Sequence, residues 1–163
     1  MGTIALTELL GSPVIEASGA HCGRVRELVL TPAEDRIHIS MLIVRTKKGD
    51  RVLPFSAVSS LNGGVQASSA ASDCSPPDAE GLFLLERDLL DQQIIDVHGR
   101  KVVRVNDVDL HPETSNGRVH LKIGSVDVGA RGAVRRLLKG VVPMAALRAA
   151  SAVPSKSTSF PRR

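Results

Sequence analysis

The stretch Leu89–Leu110, LLDQQIIDVHGRKVVRVNDVDL, recurs in diverged form as Leu9–Leu30, LLGSPVIEASGAHCGRVRELVL. At an offset of 80, Leu9-Leu10 meets Leu89-Leu90, Ile15-Glu16 meets Ile95-Asp96, and Gly19 meets Gly99. Val25 then meets Val105, Glu27 meets Asp107 and Leu30 meets Leu110. The register slips by two, after which Arg36-Ile37-His38-Ile39 meets Arg118-Val119-His120-Leu121. A glycine, an acid and an Arg-x-His shared in order within one apolar frame mark an internal duplication. The slip fits a turn that differs in length between the copies.

Each copy reads as a β-meander. Val14–Ala17 and Ile94–Val97 are short apolar runs, each followed by a glycine, Gly19 or Gly99, suited to a tight turn with positive φ. In the next strand Val103 and Val105 share one parity, whereas Val108 and Leu110 share the other; Val25 against Leu28 and Leu30 repeats that break. Side chains alternate with a period of two, so a phase change misdirects every later residue unless one residue is inserted. A β-bulge is therefore expected at Arg26-Glu27 and again at Asn106-Asp107. Glu27 and Asp107 are placed to accept backbone N–H groups exposed there. The other reading is a strand buried on both faces, with no insertion.

Composition sets the bounds. The chain has 163 residues, 42% hydrophobic and 23% charged, which is globular rather than disordered. With three Phe and neither Trp nor Tyr, the core must be built from Val, Ile and Leu, and stacking sites for bases or sugars are poorly served. Cys22 and Cys74 lack metal or disulfide spacing and read as free thiols of a cytoplasmic protein. The amino terminus shows neither a basic start nor a long apolar stretch, and no run approaches the ~20 residues of a membrane span. Charge is uneven: no acid follows Asp127, but eight of the 21 bases do, leaving 13 bases against 17 acids before it. Such an end suits an acidic partner, nucleic acid or an anionic surface, or is simply a solvated face and tail.

Taken in order, a first module spans 1–64, with a strand over Ile37–Arg45, a hairpin at Thr46–Asp50 and a returning strand Arg51–Phe55. Ser56–Leu61 is expected to form a helical turn. Asn62–Glu80, with its Gly-Gly and Pro-Pro, cannot bury enough apolar surface to order itself, and 65–81 is assigned to a linker. Leu82–Leu85 either closes the first module, within 82–86, or opens the second. The second module occupies 82–140, with a left-handed turn at Asn116-Gly117, a strand from Arg118 and a helix over Ala130–Lys139. Arg131, Arg135 and Lys139 would form a basic stripe on that helix and, with Arg136, a candidate partner surface. A disordered basic tail is expected over 141–163.

Chemistry is weakly signalled. Asp96 with His98, and Asp107 with Asp109, share strand parity and could supply hard oxygen and imidazole ligands; they read equally as solvent-facing positions. His38 and His120 occupy equivalent sites, without a nucleophile to activate. The serines lack a Gly-x-Ser-x-Gly setting, and Lys47-Lys48-Gly49 lacks the first glycine of a phosphate loop. No catalytic residue, cofactor or metal site is expected.

The second module, LLDQQIIDVHGRKVVRVNDVDL followed by VDVGARGAVRRLL, resembles the PRC-barrel modules of bacterial CBS-domain proteins related to MgtE magnesium transporters. The PRC-barrel also occurs in the photosynthetic reaction-centre H subunit and in a ribosome maturation factor. The resemblance covers roughly Glu8–Lys139 and implies a mainly β fold: two small antiparallel barrels in tandem with a short C-terminal helix. This chain shows no MgtE-type helical repeat or CBS motif, so no transporter metal residue carries over, and any magnesium role is by association. Two functions follow as expectations: a non-catalytic protein-interaction or regulatory module, with self-association open to it, or an adapter for RNA or the ribosome using the basic end.

Overall fold

A computed structural model describes residues 2–68, 81–96, 101–128 and 135–136. The chain opens on a two-residue strand β1 (Ile4–Ala5) and a one-turn helix α1 (Leu6–Leu9) whose leucines are both buried. There follow β2 (Pro13–Ile15), β3 (His21–Leu30), β4 (Met41–Thr46) and β5 (Gly49–Pro54). A 3-10 turn at Phe55–Ala57 leads to β6 (Val58–Ser60) and β7 (Val65–Ala67). The second half restarts the pattern with β8 (Phe83–Leu84) and the one-turn helix α2 (Leu85–Asp88), followed by β9 (Gln93–Asp96) and β10 (Lys101–Arg104). It continues with β11 (Asp107–Ser115), β12 (Arg118–Asp127) and β13 (Arg135–Arg136).

The fold is mainly β, and local chemistry explains its turns. Gly19 has φ +82°, its N–H donates to the Glu16 carbonyl at 2.8 Å, and the β2–β3 hairpin closes on it. Asn116 and Gly117 are both left-handed, at φ 51° and 71°, which joins Ser115 to Arg118 by the tightest hairpin loop. In the β4–β5 hairpin the Thr46 hydroxyl accepts from the Lys48 N–H at 3.1 Å and donates to the Gly49 carbonyl at 2.7 Å.

The bulge expected in the first copy is present. The β3–β4 register shifts between Val25 and Glu27, so Arg26 is the inserted residue, and Glu27, Leu28, Val29 and Leu30 are all buried after it. In the second copy the phase also changes at the expected place, by another device. The strand is cut at Val105-Asn106, between β10 and β11, and the bulge falls later, between Asp109 and Leu110. There Gly124 of β12 accommodates the His111 ring, which a Cβ at that position would strike. The two aligned stretches share a backbone pattern. Gly11 N–H donates to the Val25 carbonyl and Val25 N–H to that of Ser12 (2.7 and 2.9 Å); Asp91 N–H donates to the Val105 carbonyl and Val105 N–H to that of Gln92 (2.9 and 3.0 Å).

Two separate barrels are not seen among the described residues. Among the described residues no closed barrel forms, and one apolar core runs through both halves, from Leu6, Val14 and Leu28 to Leu85, Val108 and Leu121. The opening segments are exchanged. β1 of the first half pairs with β11 of the second, Ile4 opposite Leu110; β8 of the second half pairs with β3 of the first, Phe83 opposite Leu30. Because Leu30 and Leu110 are equivalent repeat positions, the two crossings engage the same part of each half. Both readings of Leu82–Leu85 are thus partly right: Phe83–Leu84 completes the first sheet, and the chain then turns through α2 into the second half.

Two boundaries are corrected. The expected linker over 65–81 begins later, because Val65–Ala67 pairs with β6 and, in parallel, with β2, burying Val65 and Ala67. Their small polar neighbours masked a strand that tertiary pairing supplies. The expected helix over 130–139 fails at Arg135–Arg136, which form an antiparallel strand against Ser125 and Val126. Gly132 weakens a helix there, and the edge of β12 offers unpaired backbone groups that a strand satisfies. Gly99, Arg131, Lys139 and the tail 141–163 lie outside the described residues.

Candidate functional site

The seam between the repeats brings the predicted bulge acids into matching positions. Glu27 is 4% exposed. Its Oε1 accepts from the N–H of Leu28 (2.9 Å) and of Glu86 (2.8 Å), and its Oε2 accepts from the N–H of Arg87 (3.1 Å). Two of these donors sit in the first turn of α2, whose N–H groups have no partner inside so short a helix. Asp107 repeats the arrangement at α1. Its Oδ1 accepts from Val108 N–H (2.7 Å) and Thr7 N–H (3.2 Å), and the Thr7 hydroxyl donates to its Oδ2. Each repeat therefore uses its bulge-region carboxylate to cap the opening helix of the other repeat.

Burial pushes the Glu27 carboxyl above its usual value, and the three backbone N–H groups pull partly the other way. The acid is confined to this structural task.

The seam continues through equivalent residues. Ile39 N–H donates to the Leu121 carbonyl and Ile123 N–H to that of Ile37, each at 2.8 Å. The rings of His38 and His120, matched by the duplication, meet edge to face with centroids 6.2 Å apart. Contact between equivalent positions is what a two-fold relation between the halves produces. His38 Nδ1 lies 2.7 Å from Asp35 Oδ2, and its Nε2 lies 3.7 Å from Glu113, which also holds Lys122 at 3.0 Å. Asp35 is held down to about 2, chiefly by the Ile37 N–H, with His38 adding to it.

The metal-site reading gains no support from Asp107 and Asp109. Asp107 is occupied at the cap, and Asp109 accepts the Ser125 hydroxyl at 2.6 Å. Among the described residues, no three His, Cys, Asp or Glu side chains converge as a ligand group. His98 lies outside the described residues. Of the proposed basic surface, Arg135 and Arg136 lie in β13 at the edge of the β1-β11-β12-β13 sheet.

A cleft of about 500 Å³ opens beside Ile4, Glu8 and the Ser59–Gly64 loop, with Pro112 and Val119 from the second half at its wall. A second, basic groove of about 710 Å³ lies over the start of β3 and the β4–β5 hairpin. Sequence reasoning missed both, because each is assembled from separate segments.

Residues 1–72 match the PRC-barrel domain family. The match covers the first half of the described fold, through β7. No curated protein matches the chain. No helix among the described residues is long and apolar enough to cross a membrane, which leaves strand-built spans unaddressed.

Proposed function

We propose that the chain is a non-catalytic interaction module in which a second, diverged PRC-type repeat at 82–140 joins the first to form one docking platform. The observation that carries this reading is the use made of its inward-facing acids. Glu27 and Asp107 are engaged in hydrogen bonds that hold the seam, and Asp109 in one that joins β11 to β12. Every described buried side-chain polar atom has a partner. A site built for turnover keeps reactive groups facing a pocket; here the polar interior is used for architecture, and the outer strands remain to meet a partner. A regulatory role near magnesium transport rests on resemblance alone.

The test is capture from native cytosol at low and high salt, followed by reconstitution of any captured protein with the purified chain. A stoichiometric complex that survives salt supports docking through shape and apolar contact. The second reading, an adapter for RNA or the ribosome, is motivated by the eight bases after Asp127. It requires binding to ribosomal RNA at low salt that falls steeply as salt is added. No binding at low salt removes it.

A further inference from the structure

The basic groove is used by none of the contacts above. Arg24 and Arg45 stand directly opposite each other in the β3–β4 ladder, an arrangement in which like charges destabilise a sheet. Arg24 Nη1 donates to the Gly11 carbonyl at 2.8 Å, so a neutral acceptor fixes its guanidinium. Arg45 Nε is 3.8 Å from Asp50, a carboxylate that Arg26 also engages. Lys47 and Lys48 form the hairpin tip beside them, and His21 and Cys22 complete the wall. Among the described residues no carboxylate pairs with Arg24, Lys47 or Lys48. On the other flank burial, and after it the Glu16 carboxylate, raise the Cys22 thiol above its usual value.

Gly23 holds this arrangement together. A Cβ there would strike the Arg45 carbonyl and come within 2.9 Å of Val44 Cγ1, so only glycine lets β3 and β4 approach at this point. The close approach keeps the two arginines side by side at the rim.

We propose that this groove binds a phosphate-bearing anion between Arg24 and Arg45, with Lys47 and Lys48 adding charge. Paired guanidinium forks match the oxygens of a phosphate, and four cations match more than one negative charge. An anion there would relieve the facing arginines. The ligand is either a free condensed phosphate or the phosphodiester of a nucleic acid. The proposal is independent of the docking reading, since a platform without phosphate affinity could still bind a protein.

The experiment follows backbone amide resonances of the full chain during titration with inorganic tripolyphosphate, a single-stranded oligonucleotide and, as a carboxylate control, citrate. Saturable shifts at residues 21–24 and 45–48 with tripolyphosphate are expected. Affinity should fall at least tenfold in Arg24→Gln/Arg45→Gln, and Arg118→Gln on the other hairpin should leave it unchanged. Should the arginine variant not fold, Lys47→Gln/Lys48→Gln, confined to exposed positions, should weaken binding several-fold. Tighter binding of the oligonucleotide identifies a nucleic acid as the source; tighter binding of tripolyphosphate identifies a free phosphate. Absence of saturable shifts, equal affinity in the folded variants and wild type, or citrate binding as well as tripolyphosphate would each overturn the proposal.

Discussion

Glu27 accepts three backbone N–H groups at a site almost closed to water, and two of them tie it to the other half. Removing a carboxylate that satisfies buried donors leaves those donors orphaned, at about 1–3 kcal/mol per site. Glu27→Ala should therefore lower unfolding stability by about 2–3 kcal/mol, measured as a shift in denaturant midpoint at constant slope. Glu27→Gln should fall between, because its amide keeps an acceptor oxygen but presents an NH₂ to one of the donors. Asp35 gives a pH prediction of opposite origin. Its folded value, about 2, lies below its unfolded one, so its stabilisation is present above the ordinary Asp value of about 4 and is lost as pH falls toward 2. Asp35→Asn should lower the melting temperature above pH 5, where that stabilisation is fully present, and flatten the profile below pH 4, so that variant and wild type converge toward pH 2. At this scale the sequence was informative. The parity break at Arg26-Glu27 located the bulge, and the bulge implied an acid that accepts backbone N–H groups. Nothing local to Glu27 could reveal that two of those donors lie 59 and 60 residues away.

Elements read from turn chemistry were recovered, and elements created by tertiary pairing were not. Gly19, Gly49 and the Asn116-Gly117 pair announce their hairpins, because positive φ selects those residues wherever the chain folds. Val65–Ala67 and Arg135–Arg136 have no such signature; each is a strand because an edge was waiting for it. Glycine substitutions separate two kinds of constraint. Gly19→Ala meets open space and suffers only left-handed strain, about 1–2 kcal/mol. Gly23→Ala has ordinary φ but collides with backbone, so strands β3 and β4 must separate, at about 1–3 kcal/mol or more. The two melting temperatures should both fall. Only Gly23→Ala should also loosen amide protection along β3 and β4.

The described halves share one apolar core and should unfold as one cooperative unit. The likeness of Leu9–Leu30 to Leu89–Leu110 was legible because both stretches carry the same apolar frame and turn glycine. The exchange was not, since a repeat looks the same in sequence whether its opening segment folds back on its own copy or crosses to the other. Leu6 and Leu85, each the first residue of its opening helix and fully buried, both feed the shared core. Leu6→Ala and Leu85→Ala should each cost about 2–5 kcal/mol and shift one common transition rather than split it. Proteolytic cleavage of an engineered site between Ser68 and Gly81 should leave the two pieces co-eluting in size-exclusion chromatography, since β1 and β8 each complete the opposite half.

The crossing itself is tested most directly by residue-resolved amide exchange in Asp107→Ala. Asp107 accepts from Thr7, 100 residues away, and not from the opening helix of its own repeat. The account predicts faster exchange at Thr7 and in α1, with Glu86 and Arg87 unchanged. Loss of protection at Glu86 and Arg87 with Thr7 unaffected would mean that each opening segment folds on its own copy, and would contradict the exchange.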